Sequence, residues 1–396
     1  MTTKEAGASI RRDLSLIFTT SFFTLLAYNM QTPTLSLFAV ELGATLFQVG
    51  LISSVGAVVR LISRIPIGLL SDRFGRRPLF RFGVVCPVIS LLLLYLSGSP
   101  SQIMGSLILN ALGLTIAFTV AVAMAVETYH SPSGTGITIF ALASSISGFI
   151  APVICSALLI TTPIRFTYLV GAIIGSIAIA CSIALPSRRG VRSSFDIGKS
   201  LKNVIGERAI QLVSLLQISF TMSQVAIFTY FPLKASFEMG LSPSEIVLLV
   251  SMYNLGMTLI RFPLPRVLER VSERKLIALA FLDYTLAMLA IPSAKSSILL
   301  AILICIAGIA HGIMFPAMSL YISNSADKRD LGLANAVFGF AGDAVGIVAP
   351  IVLSFVIVLL GYDGLYYVVF VFDLAAALLM IALISRHRNG LRKLHI

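Results

Sequence analysis

The chain has 396 residues, of which 57% are hydrophobic and 12% charged, with a mean hydropathy of +0.98 and a formal net charge of +12. So large an apolar surplus cannot be hidden inside a water-soluble fold, which leaves a polytopic membrane protein. The positive charge does not point to nucleic acid, because the basic residues sit in short loops between long apolar stretches rather than on one soluble face.

In chain order, Lys4, Arg11 and Arg12 precede an apolar stretch that is too long for a secretory signal and has no clean small-residue cleavage site, so it reads as the first span. Cutting the chain into stretches of roughly 20 apolar residues predicts twelve transmembrane helices. The first six cover approximately 14–40, 47–70, 79–96, 103–126, 137–160 and 166–185. After a Ser-, Gly- and Arg-rich linker at 186–208, the second six cover 209–235, 246–267, 276–291, 298–322, 331–360 and 365–384. The expected domains are an N-terminal bundle (1–185), the linker, and a C-terminal bundle with a short tail (209–396). Cys86, Cys155, Cys181 and Cys305 all fall inside apolar stretches without metal-ligand spacing, and read as small packing residues.

Charge sets the orientation. The two tails, the linker and the other loops on their side hold 23 of the 29 Lys and Arg residues, against Arg165, Lys234 and Lys295 on the opposite side. Both termini and the linker therefore face the cytoplasm, in a prokaryote-like cell membrane.

The chain also repeats itself. At an offset of 197, Glu41-Leu42-Gly43 matches Glu238-Met239-Gly240 and Arg64-Ile65-Pro66 matches Arg261-Phe262-Pro263. Thr45 with Gln48 becomes Ser242 with Glu245, two capping boxes that open the second and eighth helices, the latter with Pro243 in its first position. At 198, Phe140 meets Phe338, and Gly148 to Pro152 meets Gly346 to Pro350. Two six-helix halves of one plan follow.

Between the second and third spans lies Gly68-Leu69-Leu70-Ser71-Asp72-Arg73-Phe74-Gly75-Arg76-Arg77-Pro78, with a weakened copy at 261–274. An acid followed by three arginines cannot lie in hydrocarbon, so this run marks a tight polar turn. It resembles the loop between helices 2 and 3 of the major facilitator superfamily, Gly-x-Leu-x-Asp-Arg-x-Gly-Arg-Arg, through Gly68, Asp72, Arg73, Gly75, Arg76 and Arg77. The resemblance implies an all-α membrane fold of two pseudosymmetric bundles, with substrate held between them and access alternating by rocking. It also implies a cytoplasmic gate in which Asp72 and Arg76 connect to Glu127 at the end of span four. The chain departs from proton-driven exporters of that family in two places. Asn110 stands in the region where many carry an arginine, and Gly148 to Pro152 is a degenerate form of their glycine-proline signature.

Each ionisable group deep in a span needs a reason. Arg60 lies twelve residues before Asp72, about 18 Å along a helix, and Asp343 lies twelve after Leu331, which opens span eleven from the same side. The two should share a depth, and the resemblance sets spans two and eleven face to face, so an Arg60 to Asp343 ion pair is expected there as a conformational switch. The alternative is that Arg60 snorkels to the cytoplasmic edge while Asp343 bonds locally. His311 in span ten is a candidate proton carrier or a packed polar residue. Asp283 and Asp373 fall in the peripheral spans nine and twelve and suit helix pairing, with Asp373 a second candidate for proton coupling.

Spans one and seven carry polar stripes at helical spacing: Thr20, Thr24, Tyr28 and Gln31 in one, Gln217, Thr221, Gln224 and Phe228 in the other. They form either the walls of a substrate cavity, joined by Asn110, or hydrogen-bonding glue between helices. No nucleophile with its base, metal cluster, cofactor site or phosphate-binding loop occurs in a polar domain of useful size, so neither an enzyme nor an ATP-driven pump is expected. The expected function is transport of a small organic solute, with proton-coupled export of lipophilic or cationic compounds leading. Uptake by symport or facilitated diffusion, and a non-transporting receptor, are the alternatives. The partners expected are that solute, protons and the bilayer, with the chain acting as a monomer.

Overall fold

The computed structural model describes residues 3–129, 135–185, 204–325 and 331–393, and their regular structure is entirely helical. Most of the expected linker, 186–203, lies outside the described residues. The chain divides into two compact units, Met1–Ser194 with Leu241–Leu248, and Phe195–Gly240 with Leu249–Ile396.

The first unit holds α1 (Thr3–Gln31), α2 (Leu35–Glu41), α3 (Leu46–Phe74), α4 (Arg76–Leu96), α5 (Pro100–Tyr129), α6 (Thr135–Leu159) and α7 (Arg165–Ile183). Its core gathers Ile17, Ile67, Phe80, Val84, Ile116, Val120 and Met124. The later helices are α8 (Arg208–Val225), a π turn (Ala226–Tyr230), α9 (Phe231–Phe237), α10 (Pro243–Arg261), α11 (Leu264–Arg270), α12 (Glu273–Ala290), α13 (Ser297–Ser325) and α14 (Leu331–Lys393).

Nine stretches among the described residues are long and apolar enough to cross a membrane, and Ala143–Leu159 adds a shorter apolar helix. The last of the nine, Leu333–Ser385, has 53 residues, far more than one crossing needs. The sequence reading divides it at 360–365, and α14 breaks there at Gly361, whose φ of 73° a residue with a Cβ rarely adopts. Large apolar side chains stand outward, including Leu359 at 79%, Ile298 at 76% and Ile160 at 73% exposure, a surface that suits lipid and not water.

The first span differs from its expected form. Instead of one helix over 14–40, α1 ends at Gln31 and α2 restarts at Leu35, because Pro33 lacks an N–H and its ring blocks the preceding turn. At the repeat offset of 197, Pro33 falls on Tyr230, the last residue of the π turn in span seven. Both opening spans are thus interrupted at the same place by different means.

Other parts of the repeat also recur in structure. Gly43 and Gly240 both take left-handed conformations, with φ of 84° and 65°. Around Gly43 the amides of Gly43 and Ala44 return to the carbonyls of Val40 and Ala39, a Schellman ending for α2. Both capping boxes form: the Thr45 amide donates to Gln48 Oε1 at 2.9 Å, and the Ser242 amide donates to Glu245 Oε2 at 2.9 Å. The return bonds, from the Gln48 and Glu245 amides to the Thr45 and Ser242 hydroxyls, are 3.3 and 3.4 Å.

Packing inside each unit relies on close helix crossings. A Cβ added to Gly308 of α13 would stand 2.0 Å from the Tyr253 carbonyl of α10, and one added to Gly256 would stand 2.1 Å from the Cys305 carbonyl. In the first unit, a Cβ on Gly113 would meet Cys86 at 2.5 Å. Such contacts substitute for the hydrophobic effect, which does not drive helices together in lipid. The four cysteines are free, with Cys86 and Cys155 buried, and the Cys155 thiol reaches the Met30 carbonyl at 3.2 Å.

Candidate functional site

The charged motif is mostly helix. α3 runs through Asp72 and Arg73 to Phe74, and the turn itself is one residue, Gly75, with φ of 91°. The side chains of Asp72, Arg73 and Glu127, like the surroundings of Gly68, lie outside the described ones. Arg76 donates to the Ser71 hydroxyl at 2.6 Å. Arg77 Nη2 and Arg81 Nη2 reach the Ile183 carbonyl at 2.7 and 2.6 Å, and Arg81 Nε reaches that of Ser182 at 3.1 Å. Two cations therefore cover the carbonyl end of α7, where the helix dipole favours positive charge.

Along α1, Thr24 and Gln31 are buried and Tyr28 is half-buried. The Thr24 hydroxyl donates to the Thr20 carbonyl at 2.7 Å, within its own helix. Gln31 meets Asn110 of α5: Asn110 Nδ2 donates to Gln31 Oε1 at 3.2 Å, so two residues of the expected cavity wall do come together. Asn110 is 1% exposed and its Oδ1 has no partner, while the Thr20 hydroxyl one helix away is also unpaired. Beside them Asn29 donates to Ser147 at 3.2 Å.

The stripe on α8 has the same character. Gln217 Nε2 lies 3.4 Å from the Thr221 hydroxyl, and Gln217 Oε1 is buried without a partner. The amide rests on Gly342 of α14, where a Cβ would come within 2.8 Å of it. Gln224 and Phe228 are half-buried, and the Phe228 ring packs edge-on against Tyr253 with centroids 4.9 Å apart. Thr20 and Gln217, related by the repeat, thus each present an unsatisfied buried oxygen.

Of the intramembrane charges, Arg60 is half-buried on α3, with its guanidinium folded back over Gly56, where a Cβ would meet Nη1 at 3.2 Å. It points away from the Asp72 end of the helix. Asp343 is 5% exposed, one residue from the Gln217 contact. His311 is packed in a polar and aromatic cluster: its Nδ1 meets the Tyr253 hydroxyl at 2.7 Å, and that hydroxyl meets Tyr284's at 2.7 Å. Phe220 of α8 lies against both, 5.1 Å from His311 and 6.3 Å from Tyr284 between ring centroids.

Asp373 is fully buried. Ser219 donates to its Oδ1, and the Ser223 hydroxyl stands 3.0 Å from Oδ1 and 2.9 Å from Oδ2. These serines were not among the residues singled out from the sequence. They lie two places from Gln217 and Thr221 on the opposite side of α8, and the available signal was a second i, i+4 polar pair on a helix already polar in front. Among the described residues no group of three or more His, Cys, Asp and Glu side chains could hold a metal ion.

A family model described as Major Facilitator Superfamily matches residues 17–236 and again 213–394, nearly the whole chain in two passes. The chain belongs to the Major Facilitator Superfamily. An uncharacterized MFS-type transporter of Methanocaldococcus jannaschii, MJ1560, is 34% identical over 77 residues, so the match spans 19% of either protein's length. Among solved structures, the nucleoside transporter NupG superposes with a TM-score of 0.79 at 12% identity, over 94% of this chain and 98% of that one. A POT family transporter in complex with a thioalcohol-conjugated peptide gives 0.77 at 14% identity, over 95% and 96%. The human organic anion transporter MFSD10 gives 0.69 at 15%, over 94% and 99%. At these identities the likeness is one of fold; it is the family model, with the apolar spans, that makes this chain a multi-pass membrane protein of the Major Facilitator Superfamily type.

Proposed function

We propose that this Major Facilitator Superfamily member is a secondary active transporter that moves a small organic solute across the cell membrane by alternating access. Its cargo is lipophilic or cationic, and export is driven by protons. The observation that carries the cargo class is the chemistry of the two opening spans and of α5 beside the first. Thr20, Gln31 and Asn110 in one unit and Gln217 in the other are neutral and buried, and three of them hold an unpaired oxygen able to accept from a donor-bearing solute. Such walls suit a cation or a neutral amphiphile better than an acid. Family membership and the names of its structural relatives, which carry nucleosides, peptides and organic anions, support a small organic solute in general.

In this reading the two units rock about a shared seam as a monomer with both termini in the cytoplasm. Asp72, Arg76 and Glu127 hold the cytoplasmic side closed, and Arg60 pairs with Asp343 in one of the two states. Separating such a pair costs several kcal/mol unless water enters, which is enough to bias a two-state equilibrium.

A thermal-shift screen of lipophilic amines, quaternary cations, nucleosides and dipeptides, followed by counterflow with each hit in proteoliposomes, tests this reading. Stabilisation and counterflow by cations and amines support it. Counterflow confined to nucleosides or peptides replaces the cargo, and saturable binding without counterflow makes the protein a receptor.

A further inference from the structure

Span seven is polar on two opposite sides. One side carries Gln217, Thr221, Gln224 and Phe228, and the other carries Ser219 and Ser223, about 150° away at 100° per residue. The rear serines do not face lipid: both are buried, and both meet Asp373 of α14. Asp373 is an acid with no exposed surface whose hydrogen-bond partners are two neutral hydroxyls of one helix, with no cation in salt-bridge reach among the described residues. Buried charges are normally paired, and a carboxyl without a cation has only a proton to neutralise it.

The hydroxyl hydrogens around the carboxyl are also too few for its contacts. The Ser223 hydroxyl has one hydrogen, yet three acceptors surround it: the Ser219 carbonyl at 3.1 Å, Asp373 Oδ1 at 3.0 Å and Oδ2 at 2.9 Å. It cannot donate to all of them. If Asp373 Oδ2 carries a hydrogen, it donates to the Ser223 oxygen, and Ser223 donates onward to the Ser219 carbonyl, as the Thr24 hydroxyl does to the Thr20 carbonyl on α1. The Ser219 hydroxyl then serves Oδ1, so both carboxyl oxygens and the Ser219 carbonyl each share a hydrogen, and only the 3.0 Å approach of Ser223 to Oδ1 is left as a contact without one. Remove that proton and the carboxylate competes for the Ser223 hydrogen, leaving the Ser219 carbonyl without its side-chain donor.

We propose that Asp373, Ser219 and Ser223 form a proton-binding site behind α8, and that uptake or release of its proton shifts α8 and so repositions Gln217, Thr221 and Gln224 on the other side. The reading deepens the proposed proton-coupled transport and rests on it for its role, though not for its chemistry. Around the carboxyl, Tyr253 of α10 and Tyr284 of α12 stand in electrostatic reach. Beyond them lies His311 of α13, bonded to Tyr253, with Arg261 of α10 acting electrostatically on both. Phe220, between the two serines in sequence, packs on Tyr284 and His311, so a shift of α8 also moves against this second cluster.

Infrared difference spectra of the full-length protein in proteoliposomes, recorded between acid and alkaline buffer without any solute, read the site directly. A protonated carboxyl in an apolar site has a carbonyl stretch above the amide bands. The wild type should show one that is lost as pH rises and is absent from Asp373→Asn, while Asp283→Asn, a half-buried acid on α12, keeps it. Ser219→Ala with Ser223→Ala should move the band to higher frequency, because the carbonyl loses its donor and the acid hydrogen its acceptor; this pair decides the matter if Asp373→Asn does not fold. A band unchanged by both the Asp373 and the serine substitutions, or no titrating band, overturns the proposal. A band that behaves as expected in a protein that carries no solute leaves the site standing and removes the transport reading. Proton-driven flux that survives Asp373→Asn unchanged does the reverse.

Discussion

Lys234 is a cation near the end of span seven, and its side chain is only 6% exposed. It is held by Glu238, one turn later, and by Asp363 at 2.6 Å, just beyond the break at Gly361, so it ties the end of span seven to the turn inside α14. Removing it leaves two carboxylates facing each other. Lys234→Gln should therefore destabilise the protein by about 1–3 kcal/mol, the partly exposed acids reducing the cost of a fully buried break. Adding Asp363→Asn should recover part of the lost thermal midpoint, since one of the stranded charges is gone. At this scale the sequence was informative wherever spacing carried meaning: Gln31, Asn110 and Gln217 stand out because amides are rare in apolar helices. Ser219 and Ser223 did not, because small serines are ordinary packing residues in membrane helices and only their partner on α14 gives them a role. The same is true of Arg77 and Arg81, legible as charges but not as covers for the end of α7.

Among elements, the capping boxes were readable because the motif is local: four residues supply both hydrogen bonds. Thr45→Ala and Ser242→Ala should each cost about 1 kcal/mol, measured as a lowered unfolding midpoint in detergent, with Thr45→Ser and Ser242→Thr close to wild type. Pro33 was a visible obstacle, yet the apolar run across it reads as one helix because hydropathy does not register a missing N–H. The π turn at Ala226–Tyr230 has no proline inside it and left no mark in the sequence. It emerges only when laid on Pro33 through the repeat. Both opening spans thus leave regular α-helix at the same place, with Gln31 just before one interruption and Phe228 inside the other.

For the whole molecule, the two-unit plan followed from residues repeated at 197 and 198, since repeated turns and caps impose repeated structure. What the sequence leaves open is which cargo and which ion, because those depend on neighbours brought together only by folding. The proposed Arg60–Asp343 switch makes a sharp prediction at this scale: either single charge reversal should stop transport, and the exchanged pair, Arg60→Asp with Asp343→Arg, should restore part of it. Absence of rescue assigns the two residues independent roles.

The central claim, that this protein couples proton movement to that of a solute, is met most directly by flux. Purified protein in acid-loaded proteoliposomes, with the membrane potential clamped by potassium and valinomycin, is given ethidium, a quaternary cation that pH trapping cannot concentrate. The account predicts entry well above that into protein-free vesicles, abolished when the pH gradient is collapsed. Ethidium, and every solute that binds, remaining at the protein-free level despite saturable binding would contradict it.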